Sequence, residues 1–258
     1  MLHRVAPLLF GSLLLTACAH QAPTDPAYAR YLRLGDDLAS RGDPVSAASL
    51  YDKATQLPDA GVEAWVKLGQ ARLDMGDARA AERAYQQALE DAPNNADALL
   101  GLGTAQLQQG RYDRAVIALT QAADLGNQAS AWNRLGIAQI LRGQANAAQT
   151  AFGKARSLNP NDLDTQCNLA LAQALGGDGA AAFNGIQAVV QSPRVQARHQ
   201  RNAVLIAVLA GREAAVASLP LDEVPAPQRA ALLEQARQIK ALGDPAAQAR
   251  AMGLVKAQ

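Results

Sequence analysis

Apolar and small residues recur along this chain with a period close to 34 residues. Six glycines mark the period at intervals of 34, 34, 33, 34 and 34 residues: Gly42, Gly76, Gly110, Gly143, Gly177 and Gly211. Five positions after each glycine stands a small residue or, in the last unit, a valine: Ala47, Ala81, Ala115, Ala148, Ala182 and Val216. In the first five units a leucine stands eight positions before the glycine, and a bulky side chain stands nine after it. Self-similarity at a fixed period predicts a repeat array.

Each period contains the pattern of two helices joined by a glycine turn. Residues 64–95 show an apolar helix pattern, a turn at Gly76, a second helix pattern and a stop at Pro93. Small residues at fixed positions let the paired helices approach closely, and large ones such as Trp65 and Tyr85 fill the space to the next pair. Each pair buries its apolar face only against its neighbours. We therefore predict an all-α fold, a solenoid of about six helix pairs.

The pattern changes towards the C-terminus. We assign the repeats to residues 28–219, because Pro220 cuts short the second helix of the sixth unit. Residues 220–258 are predicted to form a linker and C-terminal capping helices. The apolar positions from Leu232 to Leu242 suit one face of such a helix. A terminal repeat needs a cap with a polar outer side, which this helix would supply.

This pattern of helix pairs is similar to the tetratricopeptide repeat. The resemblance implies a concave face lined by the first helix of each unit. Carried over position by position, it implies a groove for a protein partner with the following lining: Val66, Gln70, Leu73, Leu100, Thr104, Leu107, Asn133, Ile137, Ile140, Leu141, Leu171 and Leu175. We interpret this face as a mostly apolar groove that accepts a helix or an extended segment. An alternative stays open at each position, since the same side chains would also suit packing against a neighbouring second helix.

A basic stretch stands near the start of the sixth unit. It contains Arg194, Arg198 and Arg201 together with His199. One interpretation is a second binding site for an acidic partner or for lipid headgroups. The other is a solvated helix start, since arginine side chains are common at protein surfaces.

The first 17 residues have the pattern of a secretory signal peptide. Arg4 precedes a short apolar stretch at residues 5–15, which is too short to span a bilayer permanently. Residues 15–18, Leu-Thr-Ala-Cys, resemble the lipobox of bacterial lipoproteins. The resemblance implies cleavage before Cys18 and acyl chains on that residue, which are the only attached groups that we expect. The alternative is an ordinary signal peptide with an incidental cysteine.

The lipobox resemblance also implies a location. Residues 18–27 would form a lipidated tether, and several acyl chains anchor a protein stably where one chain binds reversibly. Ala19 follows the cysteine in place of the aspartate that marks retention in the inner membrane in many such proteins. We therefore expect an exported protein anchored in the outer membrane and facing the periplasm.

Charge and composition argue against several classes of function. Without residues 1–17 the chain has 23 basic and 23 acidic residues, and only 4% of all residues are aromatic, which does not suit nucleic-acid binding. His199 has no metal-ligating side chain at the required spacing, and the glycine-rich residues 176–185 lack the lysine of a phosphate-binding loop. Cys167 has no disulfide partner once Cys18 is acylated, and we interpret it as a packing residue. We expect no catalytic residue, no metal, no small-molecule substrate and no enzyme activity.

A closer resemblance covers most of the chain. The lipobox, the consecutive repeats, residues 161–178 and residues 192–216 together resemble the TadD family, the repeat lipoproteins of the tight-adherence (Flp pilus) secretion system. The resemblance implies a role in pilus assembly, in which the outer-membrane secretin or its companion proteins are helped to localise and oligomerise. Two alternatives remain. One is a pilotin-like lipoprotein of type IV pili, and the other is an accessory factor for cell-wall synthesis or outer-membrane protein assembly.

The lipobox interpretation predicts the behaviour of Cys18→Ser. Because the acyl chains need the cysteine sulfur, the variant should be folded but unprocessed or unanchored. Metabolic labelling with radioactive palmitate measures this directly. Palmitate incorporation equal to that of the unaltered chain would contradict the assignment.

Overall fold

The computed structural model describes residues 26–58 and 60–253, and all regular secondary structure in these ranges is helical. Thirteen α-helices are described, with these bounds: α1 (Pro26–Ser40), α2 (Pro44–Thr55), α3 (Val62–Asp74), α4 (Ala78–Asp91), α5 (Ala96–Gln108), α6 (Tyr112–Gly126), α7 (Ala129–Leu141), α8 (Ala145–Leu158), α9 (Leu163–Leu175), α10 (Gly179–Val190), α11 (Ala197–Leu209), α12 (Ala226–Ala241) and α13 (Pro245–Ala251). A 3-10 helix at Glu213–Ser218 separates α11 from α12. The predicted all-α fold of consecutively paired helices is confirmed.

The glycine of each period ends the first helix of a pair. Gly76 has a φ of 77°, and the other five period-marking glycines also lie in the left-handed region, which residues with a Cβ rarely adopt. In three pairs the next residue is an aspartate that caps the second helix. The Asp77 carboxylate, for example, accepts a hydrogen bond from the backbone N–H of Ala80. The glycine therefore turns the chain, and the aspartate starts the antiparallel helix after a two-residue turn.

Close contacts between glycines and large side chains set the distance between helices. A Cβ built on Gly136 of α7 would lie 2.6 Å from the ring of Phe152 on α8. In an earlier pair, Tyr85 on α4 lies against Gly69 of its own pair and against Gly101 of the next, at 2.7 and 2.1 Å from the corresponding built Cβ positions. These distances are far shorter than van der Waals contact, so only glycine lets the rings pack this deeply.

The stack is curved, with the first helices of the pairs on the inside. From α3 to α11, successive first helices contact one another, whereas successive second helices are farther apart. Each second helix lies between its own first helix and that of the next pair. The largest buried cluster runs from Leu99 on α5 through Phe152 and Val204 to Leu232 on α12, so the core is continuous through the C-terminal half.

The C-terminal helices fold back over the array. The 3-10 helix stands where the sixth pair would have its second helix, and α12 packs against α11. Helix α13 then reaches α7, where the Arg250 guanidinium donates to the backbone carbonyl of Leu141 at 3.2 Å. The Lys240 ammonium likewise donates to the carbonyl of Val208 at 3.0 Å. The C-terminal segment thus covers the ends of α11 and α7, and the contact with α7 is a feature that the repeat pattern does not predict.

Two sequence-based expectations, the signal peptide at residues 1–17 and the acylated Cys18, fall outside the described residues. A separate finding concerns the described helices, none of which is long and apolar enough to cross a membrane.

The tight contact between Gly136 and Phe152 can be tested by comparing two glycine-to-alanine variants. Both Gly136 and Gly153 lie inside helices, so alanine should add up to about 1 kcal/mol of helix propensity at each. A Cβ at Gly153 meets no atom within 4 Å, whereas one at Gly136 meets the Phe152 ring. We expect Gly153→Ala to raise the free energy of unfolding in urea, and Gly136→Ala to lower it relative to that control by roughly 1–3 kcal/mol. Equal free energies of unfolding for the two variants would mean that the Phe152 ring moves aside at no cost.

Candidate functional site

Two cavities open side by side on the face formed by the first helices. The first, of about 650 Å³, lies between α3, α5 and α7. The second, of about 540 Å³, lies between α7, α9 and α11. Ser130 and Arg134 on α7 line both cavities, so the two are halves of one elongated depression. We call this depression the concave groove.

Seven of the residues predicted to line the groove do line it. Val66, Gln70, Leu73, Leu100 and Thr104 lie around the first half, and Asn133 and Leu171 lie around the second. Apolar and polar groups alternate on these walls. At the second half, the Asn168 amide donates to the Asn133 side-chain oxygen at 3.2 Å, which links α7 to α9.

The predicted lining needs correction at four other positions. Leu107 on α5, and Ile137, Ile140 and Leu141 on α7, are buried in the core and border neither cavity; Ile140 is 0% exposed. Helix α7 is contacted by α5, α6, α8, α9 and α13, so little of its surface is left free. At these positions the alternative interpretation, packing against neighbouring helices, describes the structure. Leu175 is half-buried against the core, outside both cavities.

The basic stretch does not form a single patch. The Arg198 guanidinium donates two hydrogen bonds to the Asp164 carboxylate, at 3.0 and 2.8 Å. The pKa of Asp164 is held below its usual range mainly by Arg198 and to a smaller extent by His199, although burial acts in the opposite direction. Arg194 is exposed on the turn before α11, and Arg201 is half-buried on the wall of the groove. The charge of Arg198 is therefore neutralised within the chain, and its pair with Asp164 ties α11 to α9.

Cys167 on α9 and His199 on α11 do not form a nucleophile and base pair. The His199 Nδ1 atom accepts the Gln196 backbone N–H at 3.0 Å, which leaves the Nε2–H to donate to the Asp164 carboxylate at 3.0 Å. Burial raises the pKa of the Cys167 thiol to about 12, so the thiolate is scarce at neutral pH. Both imidazole nitrogens are engaged, and neither is free to take the thiol proton. In the described ranges there is also no cluster of three or more side chains that could hold a metal ion.

Some residues of the groove escape the position-by-position mapping. Arg134 is the most central of them, and Tyr85, Asp97 and Met252 also line its walls. The sequence signal for Arg134 is weak but present, since it is a charged residue two positions after Trp132 in a largely apolar first helix. Met252 carries no such signal, because it reaches the groove only through the folding back of α13.

The fold and groove place the molecule among the tetratricopeptide-repeat-like helical arrays, a class of protein-binding scaffold. In agreement, residues 66–131 match the family model described as the tetratricopeptide repeat. No match was found among the curated proteins.

Solved structures share the fold. PilF of Pseudomonas aeruginosa is 21% identical, with a TM-score of 0.63 over 75% of this chain and 89% of that one. MamA of Desulfovibrio magneticus RS-1 is 21% identical, with a TM-score of 0.58 over 64% and 93% of the two chains. Another MamA structure is 24% identical, with a TM-score of 0.57 over 64% and 91%. At these identities the likeness concerns the fold.

The Asp164–Arg198 pair predicts how stability depends on pH. The pKa of Asp164 is lower in the folded chain than in the unfolded one. Its contribution to the free energy of unfolding is therefore fully present above the ordinary aspartate pKa of about 3.9. The contribution is lost as the pH falls from there through the lower pKa of the folded state. Urea unfolding at pH 3 to 7 should therefore show Asp164→Asn to be less stable than the unaltered chain near neutrality, with the difference shrinking in acid. Asp124→Asn is the matched control, since Asp124 is exposed and has no ion pair with the part of the chain that the structure describes. A difference for Asp164→Asn that stays constant across this range would contradict the assignment.

Proposed function

We propose that this protein is a non-enzymatic, membrane-anchored scaffold that helps to assemble a Flp (tight-adherence) pilus or its outer-membrane secretin. The observation that carries the proposal is the concave groove, which runs across the first helices of consecutive repeats. Repeats of this class bind proteins, and a groove that crosses five helices suits a segment of polypeptide. The TadD-like order of lipobox, repeats and C-terminal segments supports the choice of pilus system.

The chemistry of the groove also supports a protein partner. Leu100 and Val66 are half-buried on its walls, so their side chains retain apolar surface that a partner can cover. Gln70 is exposed beside them, and Asn133 lies on the far half. Alternating apolar and amide groups complement the side chains and the backbone of a bound segment.

The proposed location rests on Cys18. Acylation at this residue would hold the first repeat close to the outer membrane on the periplasmic side, with residues 18–27 as the tether. A secretin assembles in that membrane, so an anchored scaffold would meet its subunits there. The membrane contact in this proposal comes through the lipid alone.

A second candidate is a pilotin-like role in a type IV pilus system. The observation that favours it is the structural likeness to PilF, a type IV pilus assembly lipoprotein. The third candidate, an accessory factor for cell-wall synthesis or outer-membrane protein assembly, uses the same groove for a different partner. The three candidates differ in the identity of the bound protein and share the anchored scaffold.

Affinity purification of the detergent-solubilised, lipidated chain from its own cells distinguishes these candidates. Partners identified by mass spectrometry should include a secretin and Flp-type pilus proteins. We expect Leu100→Gln to reduce their recovery by about tenfold, since removal of a central apolar contact commonly costs more than 1 kcal/mol. Ile117→Gln is the matched control, because Ile117 is 64% exposed on the second helix α6, away from the groove.

Leu100→Gln needs a check on folding, which a thermal melt provides. Gln70→Lys changes an exposed groove residue at little cost to folding and serves as a second variant. Wall synthases or barrel-assembly proteins in place of pilus proteins would replace the first candidate with the third. Equal recovery of partners by the folded groove variants and by the control would overturn the groove as the binding site.

A further inference from the structure

Arg134 stands at the centre of the concave groove, beside Tyr85 and without a carboxylate partner among the described residues. It lies on α7, on the wall shared by the two halves of the groove. Within the described ranges, no carboxylate lies within 4 Å of its guanidinium, and the side chain makes no hydrogen bond. Burial lowers the pKa of this guanidinium from its usual value. A partly desolvated cation without a counter-charge is unfavourable in the free chain, and an anion that arrived there would relieve it.

The carboxylates nearest to Arg134 in the first half of the groove have other partners. Asp74 accepts a hydrogen bond from the Gln70 amide at 2.8 Å. Asp97 accepts one from the Gln128 amide at 3.2 Å. Both are exposed to water, and neither forms an ion pair with Arg134. These amide hydrogen bonds leave both carboxylates charged, but water screens the two exposed carboxylates and neither lies within ion-pair distance of the guanidinium.

The charges in the second half of the groove leave an excess of positive charge. Asp162 caps α9, where it accepts the backbone N–H of Asp164 at 3.1 Å. Asp164 is itself paired with Arg198. Arg134 and Arg201 also line this half, and neither forms an ion pair with any residue that the structure describes. Three arginines and two aspartates line this half, which gives it an excess of one positive charge, whereas Asp74 and Asp97 keep the first half from sharing that excess.

We propose that the concave groove binds an acidic segment of a protein partner, and that Arg134 pairs with a carboxylate side chain of that segment. The inference rests on the proposed function, because it takes the groove as the binding site. A guanidinium presents two parallel N–H groups that match a carboxylate, and such pairs are stronger when they are removed from water. Leu100 in the first half and Met252 in the second are half-buried on the walls and offer apolar contacts beside the cation. The complementary segment has one or two acidic residues flanked by apolar ones.

Selection from a phage-displayed library of random 12-residue peptides tests this inference without knowledge of the natural partner. The bait is the full chain in detergent. Peptides selected by the unaltered chain should be enriched in aspartate or glutamate next to apolar residues. Their affinity should fall at least tenfold with Arg134→Gln and less with Arg134→Lys, which keeps the charge but loses the paired geometry. Arg114→Gln, at an exposed arginine on α6, should leave the affinity unchanged.

Each failure has a distinct signature. Selected peptides without acidic enrichment, sensitive to Leu100→Gln but not to Arg134→Gln, would overturn the acidic recognition and leave the scaffold function intact. Peptides sensitive to neither variant would overturn the groove itself. A third outcome is that the chain binds vesicles of anionic phosphatidylglycerol through Arg134 while the selection yields no acidic peptides. Arg134 would then bind lipid headgroups, and the inference would be overturned.

A stability measurement separates recognition from a structural role of Arg134. Because this side chain forms no ion pair or hydrogen bond with the described residues, Arg134→Gln should leave the midpoint of urea unfolding unchanged or raise it. A clear fall in the midpoint would show that the arginine stabilises the fold, and it would contradict the proposal.

Discussion

The ring of Tyr85 lies between two glycines that belong to neighbouring repeats, and no other residue fits at either position. A Cβ at Gly69 or at Gly101 would overlap the ring, so the separations of α3, α4 and α5 depend on the absence of two side chains. Gly35 with Tyr51 and Gly136 with Phe152 repeat the contact within other pairs. The spacing of the first helices follows from these contacts, and so does the width of the groove between them. A packing constraint in the core thus determines the shape of the binding surface.

The helix pairs could be predicted from the sequence because their determinants are local. Each pair depends on a left-handed glycine, on small residues that contact a ring and, in three pairs, on an aspartate cap, and all of these act within about 34 positions. They recur at a fixed spacing that is visible in the sequence. Helix α13 has no such recurring pattern. Its seven residues are mostly alanine, and its partner α7 lies more than a hundred positions away. Nothing in the local pattern of Pro245–Ala251 points to that partner.

The groove was only partly predictable, for a related reason. Repeat geometry determines which side of a first helix faces inward, and Gln70 and Leu100 lie where that rule places them. The rule does not determine how much of that side its neighbours cover, so Ile140 is buried in the core although its repeat position suggested a surface contact. The importance of Arg134 was hidden for a different reason. An arginine becomes notable there only because no carboxylate of the described residues lies within ion-pair distance of it, and such distances require coordinates.

The contact between α13 and α7 changes how the array holds together. A stack in which each pair contacts only the next one can fray from its ends, repeat by repeat. The hydrogen bond from Arg250 to the Leu141 carbonyl spans 109 positions and joins the end of the described chain to the fourth repeat. The fifth and sixth repeats are enclosed between these two points, so the loss of either one also removes packing from the other. The C-terminal half is then expected to open as one cooperative unit, while the N-terminal pairs remain free to loosen separately.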